Sequence, residues 1–335
     1  MNRNITFLIL LMMMFSAGEM VAQRGNNKTV TYEEAYDEPY NINKLFVQFQ
    51  PVYGELFVTN INAGFGLEAT YFWDDKFDFR AHARKTYTSQ FDITRDGAER
   101  NSQVDNAPFI YNYYEFGATY HLKDEEQSSK TKMFLYRKSY RGNRWASRIP
   151  KKAEIPSKVR KVTGIRLGGL IYDTSSDFNR AIEAQGLTNG DFMSLDGSMA
   201  LPSDVSVYGN LSVAGGYVGA SYTWIRNVAV QFDRYQPGVD DLILTTFFDI
   251  IVAPSVTVEN IFYQDQEFSA EPLQTSAIGF RLGVDGKFNR TLGWSYGAEI
   301  GSRPSLQNRG FYALIKISFP VFSTNLDNEV EAFGK

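Results

Sequence analysis

Apolar residues recur at every second position along most stretches of this chain that are long enough to form a strand. Between Phe57 and Trp73 the odd positions Ile61, Ala63, Phe65, Leu67, Ala69, Tyr71 and Trp73 are apolar, while Asn60, Asn62, Glu68 and Thr70 interleave. The next segment sharpens the pattern: Phe77, Phe79, Ala81 and Ala83 alternate with Asp78, Arg80, His82 and Arg84. Successive side chains of a strand point to opposite faces, so each segment has one oily and one charged face. Repeated along a chain, this predicts an all-β fold, a transmembrane antiparallel β-barrel with an apolar exterior and a polar lining.

The pattern gives twelve candidate strands, at 44–53, 56–73, 76–91, 108–122, 159–173, 205–225, 228–236, 242–252, 256–263, 276–287, 292–302 and 309–322. Merging the short pieces around 228–263 would give ten; fourteen is the other neighbouring count. With both barrel ends of the chain on the inner side, short turns fall there at Asp74-Asp75, Arg226-Asn227, Ala253 to Ser255 and Lys287 to Thr291. The outer connections at 92–107, 174–204 and 264–275 are longer and polar, as barrels of this class prefer. Along 205–225 the apolar phase switches at Gly215-Gly216, which predicts a bulge there.

Residues 1–23 have the layout of a secretory signal peptide: Arg3, an apolar run from Ile5 to Phe15, and small residues leading to Val21-Ala22-Gln23. An acidic N-terminal segment (24–43) with Glu33, Glu34, Asp37 and Glu38 follows, expected on the periplasmic side. The barrel is expected over 44–322, with a basic insertion at 123–158 and a C-terminal tail at 323–335. After the signal no run of 18 apolar residues recurs, so no membrane-spanning helix is predicted. The chain has no cysteine, which excludes disulfides, thiol catalysis and a lipid-anchored cysteine. Twenty tyrosines and 26 phenylalanines suit aromatic belts at two membrane interfaces.

If the apolar positions face lipid, the alternating positions face the lumen. The inward acids are then Glu68, Asp78, Glu115, Asp233, Asp249, Asp285 and Glu299, and the inward bases Arg80, Arg84, Arg166, Arg281 and Lys316, with His82 beside them. Charges of both signs in a narrow interior pair up, because an unpaired buried ion is costly. The set reads as a stiffening ion-pair ladder or, alternatively, as the lining of a selective pore. Catalysis is disfavoured. Of the two histidines, His82 points inward rather than toward lipid, His121 lies near an inner rim, and no Gly-x-Ser-x-Gly elbow occurs. Asp240-Asp241, expected at an outer rim, point to opposite faces as strand neighbours and make a poor dyad. Two histidines without cysteine give no zinc set, and no cofactor is expected.

One connection departs from the scheme. From Lys130 to Lys161 there are 12 Lys or Arg against one acid, in a chain of net charge −4. Lys130, Lys132, Arg137, Lys138, Arg141, Arg144, Arg148, Lys151 and Lys152 are interleaved with Phe134, Leu135, Tyr136, Tyr140 and Trp145. Such a surface suits lipid headgroups or an acidic protein partner. A merely solvated loop is the third reading, and nucleic acid is not expected in that compartment. The outer segment 173–204 has the opposite bias, with six acids against Arg180 alone.

In the last strand, Phe311, Ala313, Ile315, Ile317 and Phe319 alternate and the run closes on Phe322. That closing strand, the tyrosine-rich alternation and the Ala22-Gln23 context resemble outer-membrane β-barrel proteins of Bacteroidota. The resemblance implies residence in the cell outer membrane, in contact with its lipid; the tail after Phe322 departs from the usual pattern. The expectation is a non-enzymatic barrel serving as an accessory or scaffold subunit of an envelope complex, with 130–161 as contact surface for another envelope protein. The alternatives are a narrow channel for small polar solutes or ions and, more remotely, a lipid-acting enzyme.

Overall fold

The computed structural model describes residues 30–136, 151–289 and 293–323. The expected signal peptide, residues 324–335 of the tail, the 137–150 part of the basic insertion (Arg137, Lys138, Arg141, Arg144, Trp145 and Arg148 among them) and the Lys151 side chain lie outside the described residues.

The chain is all-β, and ten strands close an antiparallel barrel in simple chain order. They are β1 (Leu45–Phe57), β2 (Asn62–Trp73), β3 (Phe77–Thr86), β4 (Asn112–Leu135), β5 (Lys151–Asp177), β6 (Tyr208–Ile225), β7 (Leu242–Val258), β8 (Ile278–Phe288), β9 (Ser295–Ser302) and β10 (Phe311–Ser323). Each pairs with the next, and β10 closes on β1, from Tyr312 opposite Phe57 to Ser323 opposite Phe46.

The expected count of twelve is corrected to ten, for two physical reasons. The predicted turn at 253–255 is a bulge within β7, where the register shifts between Val252 and Ser255 around Pro254 and the strand then continues to Val258. Proline lacks the N–H that a ladder needs, so a bulge accommodates it. The predicted strand 228–236 leaves the barrel: Val228–Phe232 pairs with Tyr32–Asp37 and Gly238–Asp240 in a separate three-stranded sheet. Gly54-Glu55 is likewise no turn, because β1 runs through it, with a register shift between Gln50 and Tyr53. At Gly215-Gly216 the pairing of β6 with β5 is unbroken and the odd residues keep facing inward; the irregularity expected there falls in the pairing with β7, whose bulge lies opposite Gly215. Gly117 and Gly168 leave room there for the Tyr217 ring, which a Cβ on either would strike.

The two barrel ends differ. The turn end carries the tight turn Asp74-Asp75, both residues in the left-handed region (φ 51° and 54°), which Asp tolerates better than most non-glycine residues. The loop end carries 87–111, 178–207, 259–277 and 303–310. These four connections share an apolar core that includes Val104, Phe178, Phe192, Ile261, Phe268 and Leu306, so they form a folded cap. Its helices α1 (Ile93–Asn101) and α2 (Phe178–Gln185) are each N-capped by an aspartate, Asp92 and Asp177. Burial pushes the Asp92 carboxyl above its ordinary value, against the hydrogen bonds that it accepts from Asn60, Tyr111 and Arg95.

At the turn end β4 and β5 outrun the wall. β3 covers β4 only to Tyr120 and β6 covers β5 only from Arg160, so the two continue together as a ribbon to Leu135 and Lys151. Met133, Leu135 and Ile155 of the ribbon pack on Val228, Val230 and Phe232 of the small sheet.

Candidate functional site

Alternation along each strand sends one set of side chains into the barrel, and the charged members meet there. Twelve of the thirteen residues expected in the lumen are buried: Glu68, Asp78, Arg80, His82, Arg84, Glu115, Arg166, Asp249, Arg281, Asp285, Glu299 and Lys316. Nearest the turn end, Glu68 accepts from Lys316 at 2.7 Å, and Lys316 also meets Asp285 at 2.8 Å. Arg80 lies 3.0 Å from Asp78 and 3.5 Å from Asp285, and His82 Nδ1 is 3.8 Å from Glu68. In the middle Arg281 reaches Glu115 at 2.5 Å and Asp249 at 2.7 Å, while Arg166 takes the other Asp249 oxygen at 2.9 Å. Higher up, Arg84 meets Glu299 at 3.2 Å.

Three further members escaped the sequence reading. Glu55, left between the first two predicted strands, binds Arg303 at 2.7 Å and accepts from the Tyr111 hydroxyl at 3.1 Å. Arg303, in a loop before Pro304, folds back into the mouth with its guanidinium over the Tyr312 ring at 3.9 Å. Lys287, taken as a turn residue, donates to Thr70 at 2.8 Å. With these the described lumen holds seven acids and seven bases, all buried, with His82 besides. Asp233 is the misplaced one: it is exposed just beyond the small sheet, because its strand left the wall.

Apolar layers close the charged zone at both ends. Ile42, Phe46, Phe72, Val162, Ile225 and Ile243 cluster at the turn end. Toward the loop end Tyr53, Phe57, Tyr113, Tyr172, Tyr217 and Tyr312 form an aromatic layer with Leu170, Leu211 and Leu314. The cap covers that layer.

The outer wall is apolar. Leu56, Leu67, Phe116, Leu167, Ile278, Phe280, Leu282, Ile315 and Val321 are each more than half exposed. Aromatics gather near both margins: Trp73, Phe77, Phe79 and Tyr120 at the turn end, Phe65, Tyr87 and Phe91 at the loop end. Among the described residues no helix is long and apolar enough to cross a membrane.

The ribbon is two-faced. Thr131, Met133, Leu135 and Ile155 are buried, whereas Lys130, Lys132, Phe134, Lys152 and Lys158 are exposed. The Lys152 ammonium sits 5.2 Å from the Phe134 ring centre. Asp240-Asp241, expected at the outer rim, lie at the turn end instead: Asp240 binds Arg226 at 3.3 Å and accepts from Thr131. His121 bridges Asp78 (3.1 Å) and the Asp75 carbonyl oxygen (2.8 Å) at the same end. Among the described residues no group of three or more His, Asp or Glu is arranged to hold a metal.

No protein-family model matches the chain, and no curated protein matches it. The class it belongs to is therefore set by the fold alone, a closed ten-stranded antiparallel barrel with a charge-filled lumen.

Proposed function

We propose that the protein is an integral outer-membrane barrel that neither conducts nor catalyses, and that it serves as a scaffold subunit of an envelope complex. One observation carries this reading: the lumen is occupied by matched, buried charges and sealed by apolar layers, so its ionisable groups are engaged with one another. The apolar wall with aromatic margins supports membrane residence, since lipid demands an oily exterior and satisfied backbone groups. The working surfaces are then the two ends. The ribbon, basic on its exposed face and rooted in a sequence of 12 cations against one acid, is the contact surface for an acidic partner.

Extraction and co-purification test the reading. The protein should resist carbonate and leave membranes only with detergent, and deletion of 130–156 should leave the barrel inserted but strip away its co-purifying partner. Release by carbonate would defeat the membrane assignment; an unchanged partner set after the deletion would defeat the docking role.

A further inference from the structure

The cap presents a second surface, at the end opposite the ribbon. Its rim is a small sheet built from Ile261–Tyr263, Gln266–Phe268 and the segment Met193 to Leu195. Leu195 N donates to Glu267 O, Ser269 N donates to Met193 O, and Phe262 stands opposite Glu267. This register sends Ile261, Ser194 and Phe268 into the cap core and turns Leu195, Glu267 and Phe262 outward. Leu195 is 61% exposed, Met199 43%, Met193 42% and Phe262 38%, on backbone pinned by hydrogen bonds.

These residues are set apart by their charge surroundings. Asp196 follows Leu195, Asp265 sits in the turn after Phe262, Glu267 lies between Leu195 and Phe262, and Asp105 accepts from Gln264 N. Residues 181–207 and 259–277 hold eight acids and not one lysine or arginine. The acids beside α1 are different, because Arg95 and Arg100 pair with Glu99 and Asp96. An apolar stripe with an uncompensated acidic rim repels a second copy of itself and attracts a surface of opposite sign.

We infer that this face docks a protein partner presenting an apolar centre ringed by lysine and arginine. The inference is independent of the ribbon and its partner. The partner's apolar residues cover Leu195 and Phe262, its cations meet Asp105, Asp196 and Asp265, and the methionines adapt the fit.

The test uses the full protein in phosphatidylcholine nanodiscs, with a peptide of alternating lysine and leucine as probe and polylysine of equal length as the charge-only control. The alternating peptide should bind saturably, at least 10-fold more tightly than polylysine, and less tightly as salt rises. Leu195→Asp with Phe262→Asp should weaken it at least 10-fold. Those substitutions add negative charge, so a loss reports the apolar contact. Asp265→Asn with Glu271→Lys, both at exposed positions, should weaken it through the rim alone; Asn keeps the left-handed backbone at 265 (φ 61°). Binding no better than to empty nanodiscs, equal binding of polylysine, or indifference to both variant pairs would overturn the inference.

Discussion

Arg281 shows how this interior is held together. Its guanidinium serves Glu115 at 2.5 Å and Asp249 at 2.7 Å and stacks over the Tyr217 ring at 4.4 Å. Arg281→Met should cost about 3–5 kcal/mol, because it strands buried carboxylates rather than merely deleting a bond. Adding Glu115→Gln should recover part of the loss, since the two substitutions act on one interaction. The midpoint of urea unfolding, read from the mobility of the folded barrel on gels, checks both. Asp92 gives a pH prediction. Its folded pKa lies above the unfolded 3.8, so the folded cap holds the extra proton. Stability from this group is greatest below 3.8 and falls as pH rises through the raised folded value. The melting-temperature difference, native minus Asp92→Asn, should therefore decline on going from acid to neutral pH. At this scale the sequence was legible wherever a charge alternated with an oily residue. Glu55, Lys287 and Arg303 were not, because glycine, a neighbouring turn and proline disguised them as connections. The tyrosines of the loop-end layer were not legible either: an aromatic ring suits a lipid belt and a packed interior equally well.

The elements show where periodicity stops being informative. Strands of the wall were read correctly in kind because a half-buried strand must alternate. Val228–Phe232 was misassigned because three of its first four residues are apolar and buried on both faces, which a five-residue run does not distinguish from wall. The ribbon was taken for a long inner connection because its charges hid the register that Met133, Leu135 and Ile155 keep against the small sheet. Phe232, fully buried in that contact, tests whether the ribbon is held in place. Phe232→Ala should remove about 3–5 kcal/mol of local packing. Proteolysis should then cut within 121–135 or 228–240 while the barrel keeps its folded mobility. Equal resistance to cleavage would mean that the ribbon is held by something else.

For the whole molecule, the balance of seven acids and seven bases makes an electrical prediction. Reconstituted in planar bilayers, the protein should give no discrete current steps. Replacing Arg84 and Glu299 together with serine removes volume, their ion pair and the Arg281–Glu299 contact while preserving neutrality, and should still leave the apolar layers at both ends closed. Stepwise currents from the native protein would restore the channel alternative. The matching also spans the chain: Glu55 meets Arg303 and Glu68 meets Lys316, each across 248 residues. A polypeptide cut short before Lys287 lacks every lysine and arginine that pairs with Glu55 or Glu68. Full pairing of the lumen therefore waits on the last strands of the wall.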